Sequence, residues 1–358
     1  MGLWLLIGST TALIGLSFFM GGSFTAMAQE NNVNKRKHHR PDGTFQNNYL
    51  PAINKPFSAM MKWQREREKP PPQSFPVKPN DGQWLRENQT DTSVTWVGHS
   101  TVLLQFAGTN ILTDPHFFER ASPVSFAGPK RFTPPGLRVE DLPHIHIVVI
   151  SHNHYDHLDQ PSVNALYQRQ KESPPLFVVP LKQKEWFDDQ GIPSVTELDW
   201  GEHTVFEQWK IYAVPVQHWT ARGLFDRNKV LWAGWVLEHP DFRFFFAGDT
   251  GYSKDFPDLG ERFGRFDLAA IPIGAFEPRW FMKQAHINPE EAVQIHKDIH
   301  AERSIAIHWG TFQLTDEPMD LPPKRLKMAL KEAGLKEDAF VALQHGETIT
   351  LPSPRTPQ

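Results

Sequence analysis

The 358-residue chain contains no cysteine. That excludes disulfides, thiolate nucleophiles, a cysteine metal ligand and a lipid-modified cysteine. A transition metal would have to be held by histidine nitrogen and carboxylate oxygen. An excess of basic charge is also lacking. The formal net charge is −4, and with no basic stripe in view no nucleic-acid partner is expected. Ionisable side chains are absent from residues 1–28. What is plentiful is aromatic: 26 Phe and 12 Trp supply material for a sizeable core.

The uncharged run Leu3 to Ala28 is long enough to cross a bilayer, which takes about 20 apolar residues. Ala26-Met27-Ala28 has the small-x-small form of an export cleavage site. No Lys or Arg precedes the run, and Lys35-Arg36-Lys37-His38-His39-Arg40 follows it. Under the positive-inside rule that cluster keeps the following domain in the cytoplasm. Residues 1–28 are therefore expected to be a signal peptide or membrane anchor. The chain is expected to be membrane-associated through them, or else periplasmic or secreted after cleavage near Ala28. Residues 29–75 carry nine Lys/Arg against four Asp/Glu. This fits either a solvated linker or attraction to an anionic membrane surface. Residues 29–80 read as a basic extension, with a mixed-charge helical piece at Lys62 to Lys69 and the breaker Pro70-Pro71-Pro72. A compact domain is expected over 81–358.

Within that domain "SVTWV", "TVLLQF" and "NILTD" are β-type runs separated by short turns. "IHIVVI" and "LFVVP" follow, with helices expected from Pro161 to Gln170 and from about Leu181 to Gly191. "WKIYAVPV", "VLWAGWVLE", "FRFFFAG", "SIAIH" and "FVALQ" complete the set. Asn288, Pro289 and Glu291 form a capping-box pattern that starts another helix. The strand-rich halves before and after about Gly201 predict two packed sheets with helices outside.

The polar residues at the strand ends follow one rule. "IHIVVI" runs into His152, His154, Asp156 and His157; "YAVPV" into His218; "RFFFAG" into Asp249; "SIAI" into His308. Ligand sites of open α/β sheets gather at the carboxyl ends of strands. A lone histidine there is ordinarily a packing or surface group, but seven residues obeying one rule are not. Alternate side chains of an extended segment share a face, so His152, His154 and Asp156 point one way and a turn can bring His157 round. Each metal needs roughly three protein ligands and a place for water. Six terminal ligands and one shared acid meet that count for two cations.

The motif H-x-H-x-D-H, followed by a lone His, Asp and His, resembles the metallo-β-lactamase superfamily. The resemblance implies an α/β fold, a four-layer αββα sandwich, with two Zn²⁺ per chain. His152, His154 and His218 would hold one zinc, Asp156, His157 and His308 the other, and Asp249 would bridge them. Asp114, in "ILTDP", matches an acid of the family that stands behind the ligands. The stretches "TWVGHSTVLLQF", "LTDPHFFERASP", "PVQHWTARGLFDRN", "FAGDTGYSKDF" and "PIGAFEPRWFMKQAHINPEEAV" carry a closer resemblance over about residues 93–350. They are similar to the phospholipase D-type enzymes that hydrolyse N-acyl-phosphatidylethanolamine.

That resemblance implies a phospholipid substrate, cleaved to N-acylethanolamine and phosphatidic acid by a hydroxide shared between the metals. Asp156, Asp249 and His286 are expected to act in catalysis. His286, Arg222, Arg279 and Trp219 are expected to meet the substrate, the arginines because guanidinium pairs bidentately with phosphate. A homodimer is possible on this reading. The ligand set is shared with lactonases and sugar-phosphate hydrolases of the fold, and a non-enzymatic module braced by zinc is a further alternative. Other histidines, among them His38, His39 and His345, read as surface, loop or packing groups.

Overall fold

The computed structural model describes residues 37–50, 53 and 55–352. Its first six strands are β1 (Ser93–Gly98), β2 (Thr101–Phe106), β3 (Thr109–Thr113), β4 (Ile147–Val149), β5 (Leu176–Pro180) and β6 (Val195–Leu198). Alternation along them sets the layers. Trp96, Val102, Leu104, Ile111 and Val149 enter one apolar cluster, while Val97, Leu103, Leu112 and Val148 enter another. A sheet with both faces buried needs cover on each.

A second sheet supplies one cover: β7 (His203–Phe206), β8 (Trp209–Val214), β9 (Gly234–His239), β10 (Phe242–Phe246), β11 (Leu268–Pro272), β12 (Ser304–Ile307) and β13 (Phe340–Val341). The last strand, β14 (Thr348–Thr350), returns to pair antiparallel with β1. Each sheet has seven strands and is mixed, and the break between β6 and β7 falls at the predicted boundary near Gly201. Three residues show no period, which is why β14 is invisible to pattern reading.

The helices are α1 (Phe57–Glu66), α2 (Gln83–Glu87), α3 (Gln160–Arg169), α4 (Lys184–Asp189), α5 (Asp255–Phe263), α6 (Arg279–Met282), α7 (Pro289–Asp298) and α8 (Leu321–Glu332). Val163, Leu166 and Phe187 of α3 and α4 pack on the outer face of the first sheet. Ala292, Val293, Leu326 and Leu330 of α7 and α8 join the cluster of the second. The fold is the expected sandwich of two sheets flanked by helices. α7 carries the predicted capping box, Asn288 with Glu291. α4 starts three residues later than expected because Lys182 takes a left-handed φ of 67°, which a helix does not accept.

Two expectations change. Among the described residues no helix is long and apolar enough to cross a membrane. Membrane association through an N-terminal anchor is accordingly withdrawn; residues 1–28 lie outside the described residues. The basic extension, from Lys37 onward, is part of the same compact unit as the domain. Phe45 and Ile53 are buried, Trp63 Nε1 donates to Asp316 at 2.8 Å, and Arg67 pairs with Asp316 at 3.1 Å. Buried side chains spaced that far apart leave no local period, so composition alone reads the segment as linker.

Candidate metal centre

The strand ends β1, β3, β4, β8, β10 and β12 converge on one edge of the sandwich and deliver His99, Asp114, the 151–159 loop, His218, Asp249 and His308. All of these single residues are buried. Two ligand sets result. In the first, His152 Nε2 lies 2.8 Å from His154 Nδ1, which lies 3.3 Å from His218 Nε2. In the second, His157 Nε2 and His308 Nε2 each lie 3.4 Å from Asp156 Oδ2. Asp249 reaches both: Oδ1 is 3.1 Å from His308 Nε2, while Oδ2 is 3.2 Å from His157 Nε2 and 3.8 Å from His218 Nε2.

These spacings fit a metal. Ligand atoms at about 2.1 Å from a tetrahedral ion lie about 3.4 Å from one another. His157 Nε2, His308 Nε2 and Asp249 Oδ1 are moreover buried without a hydrogen-bond partner. Buried polar atoms left unsatisfied are costly, and a cation among them removes the cost.

The outer partners fix which nitrogen faces inward. Asp114, fully buried, accepts from the Ser151 backbone N–H at 2.7 Å, from the Ser151 hydroxyl at 2.6 Å and from His157 Nδ1–H at 2.7 Å. The same hydroxyl lies 2.9 Å from His152 Nδ1. His218 Nδ1–H donates to the Ala285 carbonyl at 3.0 Å. In each case Nε2 is left as the ligand atom. Gly274 is needed beside His308 because a Cβ there would stand 2.2 Å from the His308 carbonyl oxygen.

The charges are arranged to receive cations. Burial would raise the Asp156 and Asp249 carboxyls, but the facing histidines hold both well below the usual range. Burial works against charge on His308, yet the charge of Asp249 and the nearness of both carboxylates outweigh it and raise the imidazole to about 9. His157 is raised well above its ordinary value against the same burial, chiefly by Asp249 and Asp156. Both imidazoles are therefore protonated at neutral pH in the metal-free chain, and a metal has to displace those protons. Loading the metal-free protein with a divalent cation at pH 7.5 should release about two protons per chain. Calorimetry in buffers of different ionisation enthalpy measures this, and zero release would contradict the arrangement.

His286 stands beside both sets, with Nδ1 3.8 Å from Asp249 Oδ2 and its ring 5.3 Å from His218 and 5.6 Å from His308. Burial lowers it to about 3, so it is neutral. Trp219 packs edge-on against His154, with ring centroids 4.3 Å apart. The two arginines expected to meet a phosphate are committed to the protein itself. Arg222 Nη1 donates to the Asn153 and Leu158 carbonyls, both at 2.8 Å, and clamps the metal loop. Arg279 pairs with Glu291 at 2.7 Å and donates to the His286 carbonyl at 2.8 Å.

Two residues of the site escaped the sequence reading. His99 Nε2 lies 3.0 Å from Asp156 Oδ2, and its ring is 4.2 Å from that of His308. It also follows a strand end, so the rule that gathered the others would have found it. Asn47 brackets His218, accepting from its backbone N–H and donating to its carbonyl, both at 3.1 Å. No local signal marks Asn47. His38 and His39 are more than surface groups, since both contact Asp199, at 2.7 and 2.8 Å.

A sandwich whose strand ends hold two His/Asp sets joined by one carboxylate has the build of a metal-dependent hydrolase. The chain belongs to the metallo-β-lactamase superfamily: the model of the β-lactamase superfamily domain matches residues 109–309. It is 46% identical over 265 residues to N-acyl-phosphatidylethanolamine-hydrolyzing phospholipase D 1 of Caenorhabditis elegans, covering 71% of this chain and 74% of that one. It is 38% identical over 253 residues to the mitochondrial enzyme of that name in Saccharomyces cerevisiae, covering 69% of this chain but only 53% of the yeast protein. The isothiocyanate hydrolase from Delia radicum gut bacteria shares the fold at a TM-score of 0.58 and 21% identity, over 73% of this chain and 99% of that one.

Proposed function

We propose that this hydrolase is a phosphodiesterase of the phospholipase D type. It cleaves an N-acyl-phosphatidylethanolamine to an N-acylethanolamine and a phosphatidic acid, with two zinc ions bound per chain. The observation that carries the reaction class is the pair of ligand sets meeting at Asp249. The likeness to the C. elegans and yeast relatives supports the substrate.

His152, His154 and His218 would hold one ion, Asp156, His157 and His308 the other, and Asp249 both. Bound there, two such ions supply a water of lowered pKa and Lewis acidity towards phosphoryl oxygens. The chain's own residues position and bind. Asp114 and His99 orient His157 and Asp156 from behind. His286, neutral here, is placed to give its ring N–H as a hydrogen bond to a phosphoryl oxygen. Arg279 and Arg222 act indirectly, one on the His286 backbone and the other on the metal loop. A cleft of about 450 Å³ lined by Phe118, Val124, Tyr155, Pro161 and Arg222 adjoins that loop. Phe126, Leu224 and Phe225, within three residues of its lining, are 81, 91 and 85% exposed and offer apolar contact to acyl chains.

The test is product identification. Zinc-loaded protein incubated with N-acyl-phosphatidylethanolamine, and separately with a simple lactone, should release N-acylethanolamine and phosphatidic acid in equal amounts from the first. Lactone opening with no phosphatidic acid formed would overturn the proposal.

A further inference from the structure

Lys55 and Arg227 stand near the metal centre, and among the described residues neither meets an acidic partner. Lys55 is half-buried, its ammonium 4.0 Å above the Phe281 ring and 4.0 Å from Met282 Sδ. Both contacts are soft and neutral, and His286 follows four residues after Met282. Arg227, more exposed, stacks its guanidinium 4.2 Å over Trp219, the ring that packs on His154. It also donates to the Ile53 carbonyl, which ties it to the segment that carries Lys55. Lys55 thus lies on the His286 side of the centre and Arg227 on the His154 side. Neither makes an ion pair with a carboxylate among the described residues, unlike Arg279, Arg325 or Arg243.

Two like charges tied to one segment, Lys55 within it and Arg227 bonded to its Ile53 carbonyl, need a reason. Burial, and then the charge of Arg227, lower the Lys55 ammonium to about 8. A half-buried ammonium such as that of Lys55, without counter-charge, is unfavourable in the free protein. An anion arriving between them removes that penalty. The Phe281 and Trp219 faces fix the two heads in place meanwhile through cation–π contact. The only strong anions that the metal centre would bring here belong to the substrate or the product.

We infer that Lys55 and Arg227 form a cationic clamp at the mouth of the metal centre that binds a phosphate oxyanion, either the diester of the substrate or the monoester of the product. The inference rests on the phosphodiesterase reading for the identity of its ligand. It adds binding residues that lie outside the metal-ligand motif: one comes from the segment preceding α1 and the other from the loop after β8.

The experiment uses the full chain loaded with zinc and two soluble probes, inorganic phosphate and dibutyl phosphate, titrated by calorimetry. Lys55→Met and Arg227→Met should each weaken binding about tenfold, the scale of losing one charge-assisted hydrogen bond. Lys55→Arg and Arg227→Lys should stay within about threefold of wild type. Weakening for dibutyl phosphate assigns the clamp to the diester, and weakening for inorganic phosphate alone assigns it to the monoester. With N-acyl-phosphatidylethanolamine, KM should rise in the Met variants while kcat and zinc content hold. Unchanged affinity for both probes in the double Met variant overturns the clamp. A wild-type measurement covers the case of a variant that fails to fold: inorganic phosphate or dibutyl phosphate should slow acylation of the Lys55 amine about tenfold, and no protection by either overturns the clamp equally. None of the binding readouts needs turnover. A wild type that binds phosphate through these residues but leaves the lipid intact would refute the lipid reading and leave the clamp standing.

Discussion

Asp249→Asn is expected to abolish tight binding of two metals and to lower kcat/KM about a thousandfold, the scale at which loss of a main electrostatic group is felt. The reasoning is geometric. Oδ1 addresses His308 and Oδ2 addresses His157 and His218, so one side chain serves both ligand sets. An amide of the same shape keeps one oxygen and replaces the other with a group that cannot accept. It also removes the negative charge that does most to keep His157 and His308 protonated in the metal-free chain. The imidazole pKa values should then fall, and the proton release on metal loading should shrink with them. Metal analysis after dialysis, activity and the proton count therefore move together, while the circular dichroism spectrum should not. Two tightly held metals per chain and near-normal activity in this variant would refute the shared role of Asp249.

How far the centre could be read from the sequence depends on how each residue is held. His152, His154, Asp156, His157, His218, Asp249 and His308 are legible because apolar strands end in them, and a buried strand has no other use for so much polarity. The division into two sheets is legible for a related reason: the alternation of Trp96 with Val97 and of Leu103 with Leu104 shows two buried faces. Asn47 is not legible. It meets His218 across 171 positions, and nothing near it in sequence is periodic. The arginines mislead for the opposite reason. Arg222 and Arg279 have the right chemistry for phosphate and the right neighbourhood, but local carbonyls and Glu291 reach them first. Lys55 and Arg227 look unremarkable in a basic segment and a polar loop. What sets them apart is their place in three dimensions, one on Phe281 and Met282 and the other on Trp219, with no ion pair to a carboxylate among the described residues.

If two metals bind as proposed, Asp114→Asn should weaken both, although Asp114 touches neither set of ligand atoms directly. The carboxylate takes three hydrogen bonds with no solvent near it, and two chains of contact leave it. One goes straight to His157 Nδ1–H; the other passes through the Ser151 hydroxyl to His152 Nδ1. Each chain keeps the proton on Nδ1 and so leaves Nε2 free as a ligand. An asparagine can accept with one oxygen only. Its NH₂ would then face either the Ser151 backbone N–H or, together, the Ser151 hydroxyl and His157 Nδ1, and in the second case His157 has to turn its proton to Nε2. Losing such a partner typically costs tenfold to a hundredfold in metal affinity. Breaking a buried charged pair costs about 3–5 kcal/mol of stability in the metal-free protein. Ser151→Ala separates the two chains. It should weaken the ion held by His152, His154 and His218 and spare the one held by Asp156, His157 and His308, because His157 keeps its direct bond to Asp114. Stepwise metal titration of the two variants reads the difference. If Ser151→Ala and Asp114→Asn lose the same ion, or neither, Asp114 does not act through two routes, and the tautomers of His152 and His157 are set some other way.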